Sequence, residues 1–89
     1  MTTQRLVLIE WVDSFGCASN WEEIGHVESP ERQVCRSVGW LVVDDENSKV
    51  IVPHVAKATK HTEEQGCGDM TIPTPCVLRI VDLQEVGDV

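Results

Sequence analysis

The sequence predicts an all-β domain, a small β-barrel, and three observations carry that reading. Valine dominates the apolar residues while alanine and leucine are sparse, and a β-branched side chain with a stiff χ1 suits a pleated strand better than a helix. Apolar runs of strand length recur along the chain, bounded by clusters of Gly, Pro, Asn and Asp. The clearest lies at residues 37–52, SVGWLVVDDENSKVIV, where two apolar runs flank a polar turn at 44–49 and read as a central hairpin. With 89 residues the chain has room for one core. A single domain is expected over residues 1–83, with a mobile tail at 84–89.

Residues 5–13, RLVLIEWVD, form the first strand. Val7, Ile9 and Trp11 fall on one side at strand spacing and are expected to face the core. Leu6, Leu8 and Val12 share the other side, so that face needs partial cover too. Residues 13–33 lose the alternation and contain two glycines and Pro30, which predicts a long first loop. Within it, Asn20 and Glu23 stand as N-cap and N3 of a capping box, predicting one helical turn that ends at Gly25. Phe15, Trp21, Ile24 and Val27 give the loop apolar weight with which to pack down, and loops of this length are commonly functional.

The second strand spans 33–43. Val34, Arg36, Val38, Trp40 and Val42 share one side and Cys35, Ser37, Gly39, Leu41 and Val43 the other, and the pattern leaves open which side turns inward. Gly39 within a strand marks a bulge or a close backbone approach. The third strand spans 49–56, with Pro53 making it an edge, bulged or near its end. If unpaired, this strand offers a homodimer by strand addition. Residues 57–68 form a second polar loop, in which Gly66 and Gly68 permit a sharp reversal. A short fourth strand at 70–72, a Pro-led turn at 73–76 and a last strand at 77–81 complete the chain. This order, a long first loop, a tight hairpin and a closing 3₁₀ turn, resembles five-stranded SH3-like barrels.

The chain carries 15 acidic against 7 basic residues, a formal charge of −8. That balance argues against direct nucleic-acid binding, which needs clustered Lys and Arg. The acids concentrate in the predicted loops, where they form either a solvated surface or an acidic mimic that meets a partner adapted to nucleic acid. Residues 1–5 lead into only a short apolar run ending at Glu10, and no run approaches the roughly 18 apolar residues of a membrane span. A cytoplasmic location follows as the expectation, with no membrane contact. Cys17, Cys35, Cys67 and Cys76 are then expected as reduced thiols.

No catalytic motif is expected to operate. A zinc site from His61, Cys67 and Cys76 with Cys17 or Cys35 lacks the close ligand pair that seeds coordination. Ser14, His54 and Asp13, or Cys67 with His61, belong to no local nucleophile motif. Residues 66–68, GCG, are not followed by the lysine of a phosphate loop. Neither cofactor nor metal is expected, and the chain reads as a non-enzymatic module.

The tryptophans are the most informative single residues, because each combines a large apolar body with an N–H that needs a partner. Trp11 is expected in the core. Trp21, at the head of the long loop, is the best candidate for a partner contact, with Asp13, Glu22 and Glu23 as an acidic rim. Trp40 is either a core residue or a contact. In a second reading Arg36, Lys57, Lys60 and His61 meet an anionic ligand of nucleotide type between the two long loops.

Residues 10–14 (EWVDS), 37–42 (SVGWLV), 71–73 (TIP) and 78–83 (LRIVDL) together resemble small uncharacterised proteins encoded by bacteriophages and prophages. The resemblance implies a phage origin and a bacterial host cytoplasm. It implies a host protein as partner, as for an inhibitor of a defence system or of a nucleic-acid enzyme, with a virion or assembly component as the remaining alternative.

Overall fold

Alternation in the first strand sets the direction of the core. The computed structural model describes residues 4–14, 21–29 and 31–87. In it β1 (Arg5–Asp13) buries Val7 and Ile9 completely and packs Trp11 against the same cluster, as a period of two requires. The remaining strands are β2 (Gln33–Asp44), β3 (Ser48–Val52), β4 (His54–Ala56), β5 (Gln65–Cys67), β6 (Met70–Pro73) and β7 (Val77–Asp82). Five of them form an antiparallel sheet in the order β6-β3-β2-β1-β7, while β4 and β5 pair as a separate two-stranded ribbon. The chain is mainly β.

The β1–β2 ladder settles which side of β2 faces inward. Ser37 lies opposite Ile9, Gly39 opposite Val7 and Leu41 opposite Arg5, so the Cys35–Ser37–Gly39–Leu41 side joins the core. Ile51 of β3, Ile72 of β6, and Val77 and Ile80 of β7 complete it. The indole N–H of Trp11 donates to Ser37 Oγ at 3.0 Å, and Ser37 in turn points its hydroxyl at Met70 Sδ, 3.9 Å away. β2 and β6 are not neighbours in the sheet, so this chain of contacts records how far the sheet curls around its core. Leu78 is the extra residue of a bulge where the β1–β7 register shifts between Glu10 and Trp11.

Gly39 is a close approach, and the bulge in β2 falls instead between Leu41 and Val43. A Cβ at Gly39 would sit 2.9 Å from the Val52 carbonyl oxygen and 3.1 Å from Ile51 Cβ. Gly68 takes φ +80°, the left-handed turn that admits the reversal into β6.

Several expectations need correction. The strand expected over 49–56 breaks at Pro53, which has no N–H for the ladder. β3 ends before it and lies between β2 and β6, so it presents no free edge. β4 turns away to pair with β5, which forms inside the segment read as a loop at 57–68. The expected barrel does not close among the described residues. β6 and β7 are the two edges of the sheet, joined by a 3₁₀ turn, Thr74–Cys76, and not paired with one another. In the first loop a 3₁₀ turn forms at Ile24–His26 without a side-chain cap. Asn20, the expected cap, lies outside the described residues, as do Phe15 and Cys17. Nor do the described residues of this loop pack down: 21–29 are all exposed. Leu83 donates its N–H to the Leu6 carbonyl at 2.8 Å, after which residues 84–87 carry no regular structure.

The polar tip of the β2–β3 hairpin is more than a solvated turn. Asp45 Oδ1 accepts the backbone N–H groups of Asn47 and Ser48, each at 2.8 Å, the local bonding that makes Asp a turn former. Thr74 docks on the same tip, its Oγ1 donating to the Asp45 carbonyl and its N–H to the Asn47 carbonyl. The tip therefore holds the 3₁₀ turn that links the two edge strands.

Gly39→Ala should destabilise the domain by about 1–3 kcal/mol, the cost of overpacking where a backbone carbonyl cannot give way, as read by urea denaturation. The Asp45 carboxyl is held below its usual 3.8, first by the Ser48 amide and then by the Asn47 amide. A depressed folded pKa stabilises above the unfolded pKa and loses that contribution as pH falls through the folded value. The melting temperature of the native chain should therefore exceed that of Asp45→Asn at neutral pH, and the gap should narrow below the usual carboxylate range.

Candidate interaction surface

The outer face of the sheet is apolar as well, and its cover is incomplete. Cross-strand pairing places Leu8 between Val38 and Val81, Leu6 opposite Trp40, Trp40 opposite Val52, and Val12 opposite Val34. The β4–β5 ribbon covers one end of this face: a Cβ at Gly66 would lie 3.2 Å from Val52 Cγ2, and Val52 is buried. Away from the ribbon the cover ends. Val34 is 48% and Val38 52% exposed there, whereas Val42, also exposed, lies at the ribbon end beside Val52, Val55 and Gly66. Exposed apolar side chains grouped on one face of a small protein make that face a candidate docking surface.

One charged row crosses this face. Glu10 stands between Arg36 of β2 and Arg79 of β7 in register. Arg79 Nε donates to Glu10 Oε1, while Arg36 Nε stays 3.8 Å from Oε2. The Arg79 hydrogen bond, followed by the charges of Arg79 and Arg36, holds the Glu10 carboxyl below its usual 4.5 against the opposing effect of desolvation. Two cations share one carboxylate, so the row keeps a positive excess centred on the exposed Arg36, in a chain that is otherwise acidic. At the far end of the same strands Arg5 bridges Asp82 at 2.9 Å and Asp44 at 3.6 Å.

The first loop is the second feature. Trp21 is 102% and Ile24 91% exposed, and Val27 is exposed with them. Glu22, Glu23 and Glu28 interleave with these apolar side chains. Trp21, Glu22 and Glu23 follow one another on this segment, all exposed and lining no groove. Asp13 ends β1 at the base of the loop, and Trp40 sits half-buried on the outer face next to Leu6 and Val52.

The residues expected to meet an anionic ligand are not gathered. Arg36 belongs to the charged row, whereas Lys57, Lys60 and His61 are exposed on the segment between β4 and β5. A shallow cleft of about 230 Å³ lies elsewhere, lined by His54, Val55, Ala56, Gln65, Gly66 and Cys67. Cys35 and Cys76 are half-buried, Cys67 is exposed, and all three are free thiols. Among the described residues no three His, Cys, Asp or Glu side chains come together as a metal site would require. No helix among them is long and apolar enough to cross a membrane.

Comparison with protein-family models, with curated proteins and with solved structures found no match. The surface must therefore be read from its own chemistry. Its sequence signal was present: Leu6, Leu8 and Val12 alternate opposite the core residues of β1, and Val34, Val38 and Trp40 do the same in β2. What the sequence did not carry was the pairing that sets them side by side.

If this face is surface and the opposite one is core, the two should respond differently to truncation. Val38→Thr should change stability by less than about 0.5 kcal/mol, whereas Ile9→Ala should cost about 2–5 kcal/mol, both measured by chemical denaturation.

Proposed function

We propose that the chain is a non-enzymatic protein-interaction module built on an SH3-like sheet. The order β6-β3-β2-β1-β7, in which five strands meander and the last returns beside the first, supports the SH3-like reading. So do the long first connection and the 3₁₀ turn Thr74–Cys76 ahead of the last strand. The observation that carries the functional reading is Trp21, fully exposed on an acidic loop. A large aromatic held in water is an anchor without its pocket, and aromatic anchors dominate interface energetics. The complementary partner presents an apolar pocket with a basic rim to Trp21, Ile24, Glu22 and Glu23. A bacterial enzyme that handles nucleic acid would supply the basic rim, and the resemblance to small phage-encoded proteins favours a host protein of this kind. The charge of −8 would speed encounter with a basic partner.

The tagged chain should capture a specific partner from bacterial lysate. Trp21→Ala should lower that capture at least about tenfold, as for a truncated anchor, with an unchanged melting temperature. Trp11→Ala should instead lower the melting temperature. Equal capture by the native chain and Trp21→Ala would remove the loop from the interface.

A further inference from the structure

The outer sheet face and the first loop are complementary to each other. The face is an apolar field of Leu8, Val34, Val38 and Val81 crossed by a row with excess positive charge at Arg36. The loop offers Trp21, Ile24 and Val27 interleaved with Glu22, Glu23 and Glu28. Each surface lacks what the other presents, and within one chain they do not meet, since residues 21–29 are exposed throughout. The loop leaves the sheet at the pair Asp13↔Gln33, next to Val12 and Val34. A connection over residues 14–32 carries its tip up to roughly 30 Å from that base.

We infer that two copies of this chain associate by exchanging their first loops, residues 21–29 of each docking on the outer sheet face of the other, with Trp21 over the valine field and Glu22 and Glu23 toward Arg36. A two-fold axis satisfies both contacts at once. The assembly closes as a dimer, because every loop and every face is used and none is left to recruit a third copy. The interface differs from strand addition, since the edges β6 and β7 take no part. It does not depend on the reading of a host partner, because it is observed on the purified chain alone.

Sedimentation equilibrium and light scattering over a wide concentration range should show a monomer–dimer equilibrium. Trp21→Ala, on an exposed loop that the fold does not need, should weaken it at least about tenfold. Arg36→Glu alone, and the double change Glu22→Lys with Glu23→Lys alone, should each weaken it as well, with folding checked by circular dichroism. Mixing these two charge-reversed chains should restore association as a heterodimer, because each loop then meets a face of opposite charge. A monomer at every concentration overturns the inference. So does a dimer indifferent to Trp21→Ala, which would be an edge-paired one. A mixture that behaves as the sum of its components also overturns it, since that is the signature of a loop closing on its own sheet.

Discussion

The register of the β1–β2 ladder is the constraint on which the rest of the structure depends. These two strands occupy the middle of the sheet, and their pairing runs unbroken from Arg5↔Leu41 to Asp13↔Gln33. A slip by one residue would exchange the faces of one strand relative to the other. Glu10 makes such a slip costly. In the observed register its carboxylate lies between Arg36 and Arg79 on the open face; turned inward it would take the place of Ile9 in a core that, among the described residues, contains no buried polar or charged side chain. An unpaired carboxylate there has neither water nor a counter-ion. The ion row thus acts as a pin on the register more than as a source of stability, since exposed pairs contribute little.

With the central pair fixed, a small core has to be closed economically. Val7, Ile9, Leu41, Ile51 and Ile72 form one cluster on one side of the sheet, and a chain of this length has little apolar surface to spare for a second layer. Closure falls instead to polar joints. Thr74 ties the 3₁₀ turn to the hairpin tip that Asp45 organises, and Trp11, Ser37 and Met70 link β1, β2 and β6 across the core. These joints explain how the sheet can curl strongly while its two edges stay unpaired.

Local pattern and long-range pairing divide what could be read from the sequence. Alternation was sufficient for β1, for its inward residues and for the succession of short strand, Pro-led turn and last strand, because each follows from neighbours along the chain. Pro53 was legible as an interruption, but not its consequence, the departure of β4 to pair with β5, since the partner strand Gln65–Cys67 is too short and too rich in glycine to announce itself. The orientation of β2 was undecidable locally because both of its sides are apolar. That ambiguity was itself the trace of the exposed outer face: a strand with two apolar faces in a protein with one core leaves one of them facing out. For the loop, apolar weight predicted packing, and the structure leaves Trp21 and Ile24 in water. Composition could say that these side chains need cover and could not say where the cover comes from.

Charge decides how an exposed loop and an exposed face coexist on one chain. At a formal −8, two copies repel at long range, and over distances beyond the Debye length of about 8 Å salt removes most of that repulsion. The positive excess at Arg36 acts only at close range, so in the proposed dimer it would be felt once the acidic loop and the outer face touch. Repulsion therefore governs encounter and local complementarity governs residence. An acidic chain arranged in this way is kept apart from its copies by net charge, and in the proposed dimer it would be the seating of Trp21 on apolar surface and of Glu22 and Glu23 beside Arg36 that overcomes that repulsion.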